Sequence, residues 1–145
     1  MYKHILIPTD GSELAAKAIG HGVRLAKAAG AQVTGVTVTE PFHLVTVAPS
    51  QLEYTRAEYR KHSEAYAEKA LQAVSTAAAA ENVPHRVVQV EHEHPYQGII
   101  DTALANGCDL IVMASHGRHG MSAIVLGSET VKVLTHSKIP VLVCR

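Results

Sequence analysis

The stretch HILIPTDGSELAAKAIGHGVRLAKAAG, residues 4–30, holds the reading that decides the fold. Its first part, His4-Ile-Leu-Ile-Pro8, is an unbroken apolar run without alternation, the pattern of a strand covered on both faces. Asp10-Gly-Ser12 then supplies helix-starting residues. Ala15, Ala18, Ile19, Gly22, Val23, Leu25 and Ala26 recur at spacings of three and four, and Gly30 stands where a C-terminal cap belongs. A buried strand followed at once by a helix with one apolar face is the repeating unit of a parallel sheet.

The same alternation continues outward. Gln32 to Val38 reads as a second strand, β-branched in bias, and Glu40 to Ser50, with its two prolines, as a loop. A long alanine-rich amphipathic helix follows from about Glu53 to Glu81, carrying Tyr59, Tyr66, Leu71 and Val74. Arg86 to Val90 is a third strand. Pro95 opens the next helix, with Ile99, Ile100, Ala103 and Leu104 as its buried stripe and Asn106-Gly107 as its end. Leu110 to Met113 is the fourth strand, Ser128 to His136 the last helix and Ile139 to Cys144 the fifth strand. Right-handed crossovers between such strands give an α/β fold: a single domain, residues 1–145, built as an open doubly wound, Rossmann-like sheet of five parallel strands with helices on both faces.

Composition narrows the function classes. Of 145 residues, 47% are apolar, enough for a substantial core, and thirteen basic residues balance thirteen acidic ones. That balance leaves no electrostatic footprint for nucleic acid or an anionic membrane. Cys108 and Cys144 sit at the ends of apolar runs with no CxxC pair, as reduced thiols do. The amino-terminal apolar run is too short for a signal peptide, and no stretch approaches the roughly 18 apolar residues of a spanning helix. The expected setting is the cytoplasm.

Ligands of doubly wound sheets bind beyond the carboxyl ends of the strands, where strand order reverses. Two segments there carry suitable residues. Pro8-Thr-Asp-Gly-Ser12 places a carboxylate at the exit of the first strand, and MASHGRHGMSAIVLGSET, residues 113–130, leaves the fourth. In the latter, Gly117 and Gly120 permit positive φ or close backbone approach, so amide hydrogens can converge on an anion. Gly127-Ser128 opens a helix whose unpaired amides point at the same place, with the Ser128 and Thr130 hydroxyls nearby. A flexible connector is the competing reading of the same glycines. Neither a GxxxxGK[ST] loop nor a GxGxxG after the first strand is present to decide it.

The pattern Ala114-x2-Gly117-x9-Gly127-Ser128 resembles the G-x2-G-x9-G-[S/T] nucleotide motif of the universal stress protein family. The opening Ile-Leu-Ile-Pro-Thr-Asp-Gly-Ser, the run Cys108 to Gly117 and the terminal Ile-Pro-Val-Leu-Val are similar to that family too, so the resemblance spans essentially the whole chain. It implies strand order 3-2-1-4-5, a homodimer and binding of ATP. Carried over, it places Pro8, Thr9 and Asp10 along the site and Val38 against adenine through its backbone. Met113, Ala114, Ser115, His116 and Gly117 would border ribose and phosphates, and Gly127, Ser128, Glu129 and Thr130 would hold the phosphates. Ala114 departs from the motif's first glycine: it is strained if the position needs positive φ, and tolerated if it needs only a small side chain.

A carboxylate facing a polyphosphate repels it unless a cation lies between, so Asp10 implies Mg²⁺ or Mn²⁺ bridged to phosphate; its other duty is to share the start of the first helix with Ser12. The pairs His92/His94 and His116/His119 lack further ligands at recognisable spacing and read as surface or loop residues. Arg118 and His119 fit phosphate contact or a solvated loop tip equally. Tyr54, Tyr59 and Tyr66 read as packing residues, and Ser12 has no GxSxG elbow around it. In the implied order the fifth strand is an apolar edge without protecting charges, which suits pairing with a second copy through Ile139–Cys144.

The expected function is a stress-response regulator in which bound nucleotide orders the loop from His116 to Leu126 and changes the surface offered to a regulatory partner, with no catalytic residue assigned and at most slow ATP hydrolysis. Two alternatives stay open: a nucleotide-free dimeric interaction or chaperone-like module of the same fold, and a small ATP hydrolase or phosphotransferase.

Overall fold

A computed structural model of the protein describes residues 1–43, 49–117 and 125–145. Five strands alternate with four helices: β1 (His4–Pro8), α1 (Glu13–Ala29), β2 (Gln32–Thr39), α2 (Pro49–Ala80), β3 (His85–Glu91), α3 (Pro95–Ala105), β4 (Leu110–Ala114), α4 (Ser128–His136) and β5 (Val141–Cys144). All pairings are parallel and the sheet runs β3-β2-β1-β4-β5, the order the family resemblance implied.

Alternate residues of each central strand face opposite helical layers. Ile5, Ile7, Val33 and Val112 pack with Ala18, Ile19, Val23 and Ala26 of α1 and Val74 and Ala78 of α2. On the other face Leu6, Val36, Ile111 and Met113 pack with Ile99 and Ala103 of α3 and Val133 of α4. Burial on both faces is why β1 and β4 read as unbroken apolar runs. Ser12 caps α1, its hydroxyl accepting from the Ala15 N–H at 3.1 Å, and Gly30 ends it in the left-handed region at φ 67°.

Two element starts and one buried position differ from the sequence expectation in ways that have a physical reason, while several other strand and helix ends shift by a single residue. Helix α2 begins at Pro49, so Pro49 and Ser50 belong to the helix and not to the preceding loop; proline's fixed φ suits a first turn, where its missing N–H costs nothing. Strand β5 begins at Val141: the Ser137 hydroxyl donates to the Ile139 carbonyl and accepts its N–H, and Pro140, which has no N–H, meets β4 only through its carbonyl, which accepts from the Ile111 N–H at 3.0 Å. On α3, Leu104 is 61% exposed. It lies about 140° round the helix from Ile99 at roughly 100° per residue, outside the apolar face, and Thr102 takes the buried place with its hydroxyl donating to the Gly98 carbonyl. The first described turns of α2 are exposed all round, so its apolar face spans only Ala67 to Ala78. Both cysteines are buried free thiols.

The face of α3 can be tested directly. Ile100→Ala removes a side chain only 6% exposed and is expected to cost about 2–4 kcal/mol in urea unfolding, whereas Leu104→Ala is expected to stay within about 0.5 kcal/mol of the parent.

Candidate functional site

The sheet opens where its strand order reverses, and the backbone shows why. The Thr9 N–H donates to Val36 of β2 and the Asp109 N–H donates to the His4 carbonyl, so odd residues of β1 face β2 and even residues face β4. Pro8 is therefore the residue that would donate next to β4, and it has no N–H. Pairing with β2 runs on to Pro8, whereas pairing with β4 stops at Leu6 opposite Ile111. The two strands part beyond that point.

The chain leaving β1 is fixed by its own side chains. Thr9 accepts from the Gly11 N–H at 3.2 Å and the Asp10 Oδ1 from the Ser12 N–H at 2.9 Å, while Gly11 takes φ 77°. Ser12 is thus the helix cap, and Asp10 braces the turn before it. The Tyr66 hydroxyl of α2 donates to the Asp10 carbonyl. Tyr66 is half-buried, and Tyr59, 36% exposed, packs its ring against Phe42 at a centroid distance of 5.3 Å with its hydroxyl donating to the Glu40 carbonyl. The Tyr54 side chain lies outside the described residues.

The chain leaving β4 comes down onto that carboxylate. A Cβ added to Gly117 would sit 2.3 Å from the Asp10 Oδ2, so only a residue without a side chain fits there with the carboxylate in place. Its φ is not positive, since the positive-φ glycines among the described residues are Gly11, Gly30 and Gly107. Close approach is the reason for Gly117. Gly127 makes a similar crossing: its N–H donates to the Ser115 carbonyl at 2.7 Å, and a Cβ there would meet the His116 Cα at 3.0 Å. Ala114 closes β4 without positive φ and packs against the α1-side core, so the alanine carries no left-handed strain.

Helix α4 starts beside this crossing with no side-chain cap on its first amides. It is held from two sides. The Thr130 hydroxyl, buried, donates to the Ala114 carbonyl at 3.0 Å, and the Glu129 carboxylate accepts from the Tyr96 N–H at the start of α3 at 2.8 Å while pairing with Lys132 at 3.3 Å. The side chains of Glu129 and Thr130 are thereby engaged within the protein, and the uncapped turn from Gly127 to Thr130 borders the opening.

These segments enclose a cavity of about 310 Å³. Every expected site residue lines it except Ser115, which is buried behind it with its hydroxyl 3.2 Å from the His116 Nδ1. Ala15, Val36, Pro95 and Ile99 also line it and were not expected. Pro95 and Ile99 had a signal: a helix that follows a strand of a parallel sheet must begin at the carboxyl edge, so the start of α3 is bound to face the same crevice. Gly120, Arg118 and His119 lie outside the described residues, as does most of the loop from His116 to Leu126. His92 and His94 lie at the β3 exit with ring centroids 6.0 Å apart, the His92 Nδ1 accepting from the His94 N–H.

The sequence description of the universal stress protein family matches residues 1–145. A universal stress protein of Methanocaldococcus jannaschii is 30% identical over 145 residues, which cover all of this chain and 83% of that protein. The solved universal stress protein UspA from Lactobacillus plantarum is 28% identical, with a TM-score of 0.80 over 99% of this chain and 98% of its own. A universal stress protein solved in complex with cAMP is 22% identical, with a TM-score of 0.71 over 99% of this chain and 97% of its own, a likeness of fold.

Removing the carboxylate that caps α3 from α4 should be visible without any ligand. Glu129→Ala is expected to lose about 0.5–2 kcal/mol in urea unfolding and to speed amide exchange at Tyr96; unchanged exchange there would mean that the cap is not made in solution.

Proposed function

The chain belongs to the universal stress protein family, and from that premise we propose that it binds ATP with Mg²⁺ or Mn²⁺ in the crevice between β1 and β4. One observation carries the reading: the backbone at Gly117 lies against the Asp10 carboxylate beside the uncapped start of α4, so donors for an anion and a ligand for a cation border one cavity. Val36, Val38, Pro95 and Ile99 give that cavity an apolar wall suited to a nucleobase. The relative solved with cAMP argues for the fold alone at its level of identity, so the cavity has to support the ligand.

The donor set fits a shared cation better than a resident one. Among the described residues no group of three or more histidine, cysteine, aspartate or glutamate side chains converges on a point. Mg²⁺ and Mn²⁺ are commonly held by one or two carboxylates together with substrate phosphates, and Asp10 would supply the protein's share. The bound cation would neutralise the repulsion between that carboxylate and phosphate. Pro8 and Thr9 would line the site, Val38 would meet adenine through its backbone, Met113 to Gly117 would border ribose and phosphates, and Gly127 to Thr130 would hold phosphates through their amides.

The role we infer is regulatory, in the cytoplasm, with a second copy paired along β5. The described residues contain no helix long and apolar enough to cross a membrane. Strand β5 is the edge next to β4, and Leu142 on it is 42% exposed; Val131 and Leu134 of α4 are also exposed. An apolar edge of this kind is satisfied by a twofold-related copy.

Equilibrium dialysis should show saturable ATP binding that strengthens with Mg²⁺. Gly127→Val, which drives side-chain atoms into the His116 backbone, should weaken it about tenfold or more, and Asp10→Ala should remove the metal dependence. Absence of saturable binding by the parent protein would favour the nucleotide-free interaction module. For assembly, Val141→Lys is expected to shift sedimentation from dimer to monomer; a dimer that survives it refutes pairing through β5.

A further inference from the structure

Pairing along β5 leaves the opposite edge of the sheet open. β3 forms that edge, and its ladder with β2 runs without a bulge from His85 beside Val33 to Glu91 beside Thr39. The Val33 N–H donates to the Pro84 carbonyl and the His92 N–H to the Thr39 carbonyl, so even-numbered residues here turn their main-chain groups to β2. His85, Val87, Gln89 and Glu91 therefore turn theirs outward, where no main-chain partner meets them among the described residues. Their side chains lie on the α2 side of the sheet, as that of Val33 does, and are exposed, Val87 at 39%. Val88 and Val90 pack on the α3 side, and the Arg86 guanidinium is turned back onto the Thr34 hydroxyl of β2 at 3.3 Å. No proline, lysine or bulge guards the strand, although these are the usual devices that keep an open edge from pairing.

We propose that β3 is a second self-association edge, which pairs antiparallel with β3 of another copy about a twofold axis through Val88. A twofold contact requires a strand to be its own complement, and this register makes β3 so. Val87 then stands opposite Gln89 of the second copy and His85 opposite Glu91, so every outward-facing residue of both strands exchanges its N–H and C=O with a partner. Registers centred on Val87 or Gln89 run one residue of each strand off the end of the ladder. A register centred between two residues sets outward-facing groups against inward-facing ones. At both ends of the pairing the His85 imidazole meets the Glu91 carboxylate, and no like charges are opposed, since Arg86 stands opposite Val90. This charge match is what selects a second copy of the chain as the occupant.

The side chains beside this edge are mostly polar, so the contact adds little apolar burial and is weaker than one made through Val141 to Cys144. In dilute solution it is open, and a Val141→Lys protein runs there as a monomer. At higher concentration it joins β5 pairs end to end, because two unlike twofold contacts then occupy opposite edges of one sheet. The contact depends on no ligand and on no pairing through β5.

The test is disulfide cross-linking under a mild oxidant at high protein concentration, with the parent protein, whose own thiols are buried, as the blank. Val88 would face its own copy across a pair whose Cα atoms stand about 4.5 Å apart, within disulfide reach, whereas Val90 on the same side would be displaced from its copy by roughly 13 Å along the strand. Val88→Cys is expected to give a covalent dimer about tenfold faster than Val90→Cys, with or without Val141→Lys in the same chain. Equal rates, or no cross-link, overturn the proposal, and the second result is what an edge reserved for a strand of a different protein would give. Should cysteine at 88 unsettle the packing against α3, sedimentation of the Val141→Lys protein replaces it. Its monomer should convert to dimer as concentration rises, Glu91→Lys should raise the concentration needed about tenfold, and adding His85→Glu should bring it back. A monomer at every concentration, or a double variant no better than the single one, refutes the pairing. Association through β5 is separable, since Val141→Lys removes it and Glu91→Lys leaves it unchanged.

Discussion

The crevice exists because Pro8 has no hydrogen to give to β4. Two parallel strands in the middle of a sheet stay side by side as long as each alternate N–H finds its carbonyl, and at Pro8 the next donor is missing on one side only. β1 therefore stays with β2 and leaves β4, and the chain emerging from β4 falls across the gap onto the Asp10 carboxylate. The bare Cα of Gly117, the crossing of Gly127 over His116 and the uncapped start of α4 are all consequences of how that gap is spanned. Reversal of strand order supplies the place, and proline supplies the opening.

Much of this was legible from residues 4–30 and from the alternation that follows. Strands buried on both faces leave no polar positions, so β1 and β4 declared themselves, and Ser12 and Gly30 marked the ends of α1 through chemistry that needs no tertiary contact. The order of strands was different: periodicity gives direction and layer but not neighbours, and 3-2-1-4-5 came from the family resemblance. Leu104 shows a further limit of pattern reading, because its spacing from Ile100 is helical but the arc that faces the sheet is set by how α3 is rotated, and that is decided by Ile99 and Ala103 against β2 and β4. In the site, Gly117 was identifiable as special but its reason was not. Whether a glycine serves positive φ or contact depends on what stands opposite, and Asp10 is over a hundred residues away in sequence.

The side chains at the start of α4 show how the protein fixes a helix end without a local cap. Thr130 is tied to the last carbonyl of β4, and Glu129 reaches across to the first free amide of α3, so two helix starts share one carboxylate. This arrangement is formed by the protein alone. A guest that used the α4 amides would meet donors already in position and would not have to order that turn, which lowers the entropy cost of binding.

The buried thiol of Cys108 has a chemical corollary. Oxidants attack sulfur as the thiolate, and a group that ionises only near 11 presents about one thiolate in ten thousand molecules at neutral pH. Burial raises the Cys144 thiol as well. Burial thus keeps both sulfurs in the thiol form, the less reactive one on the oxidation ladder.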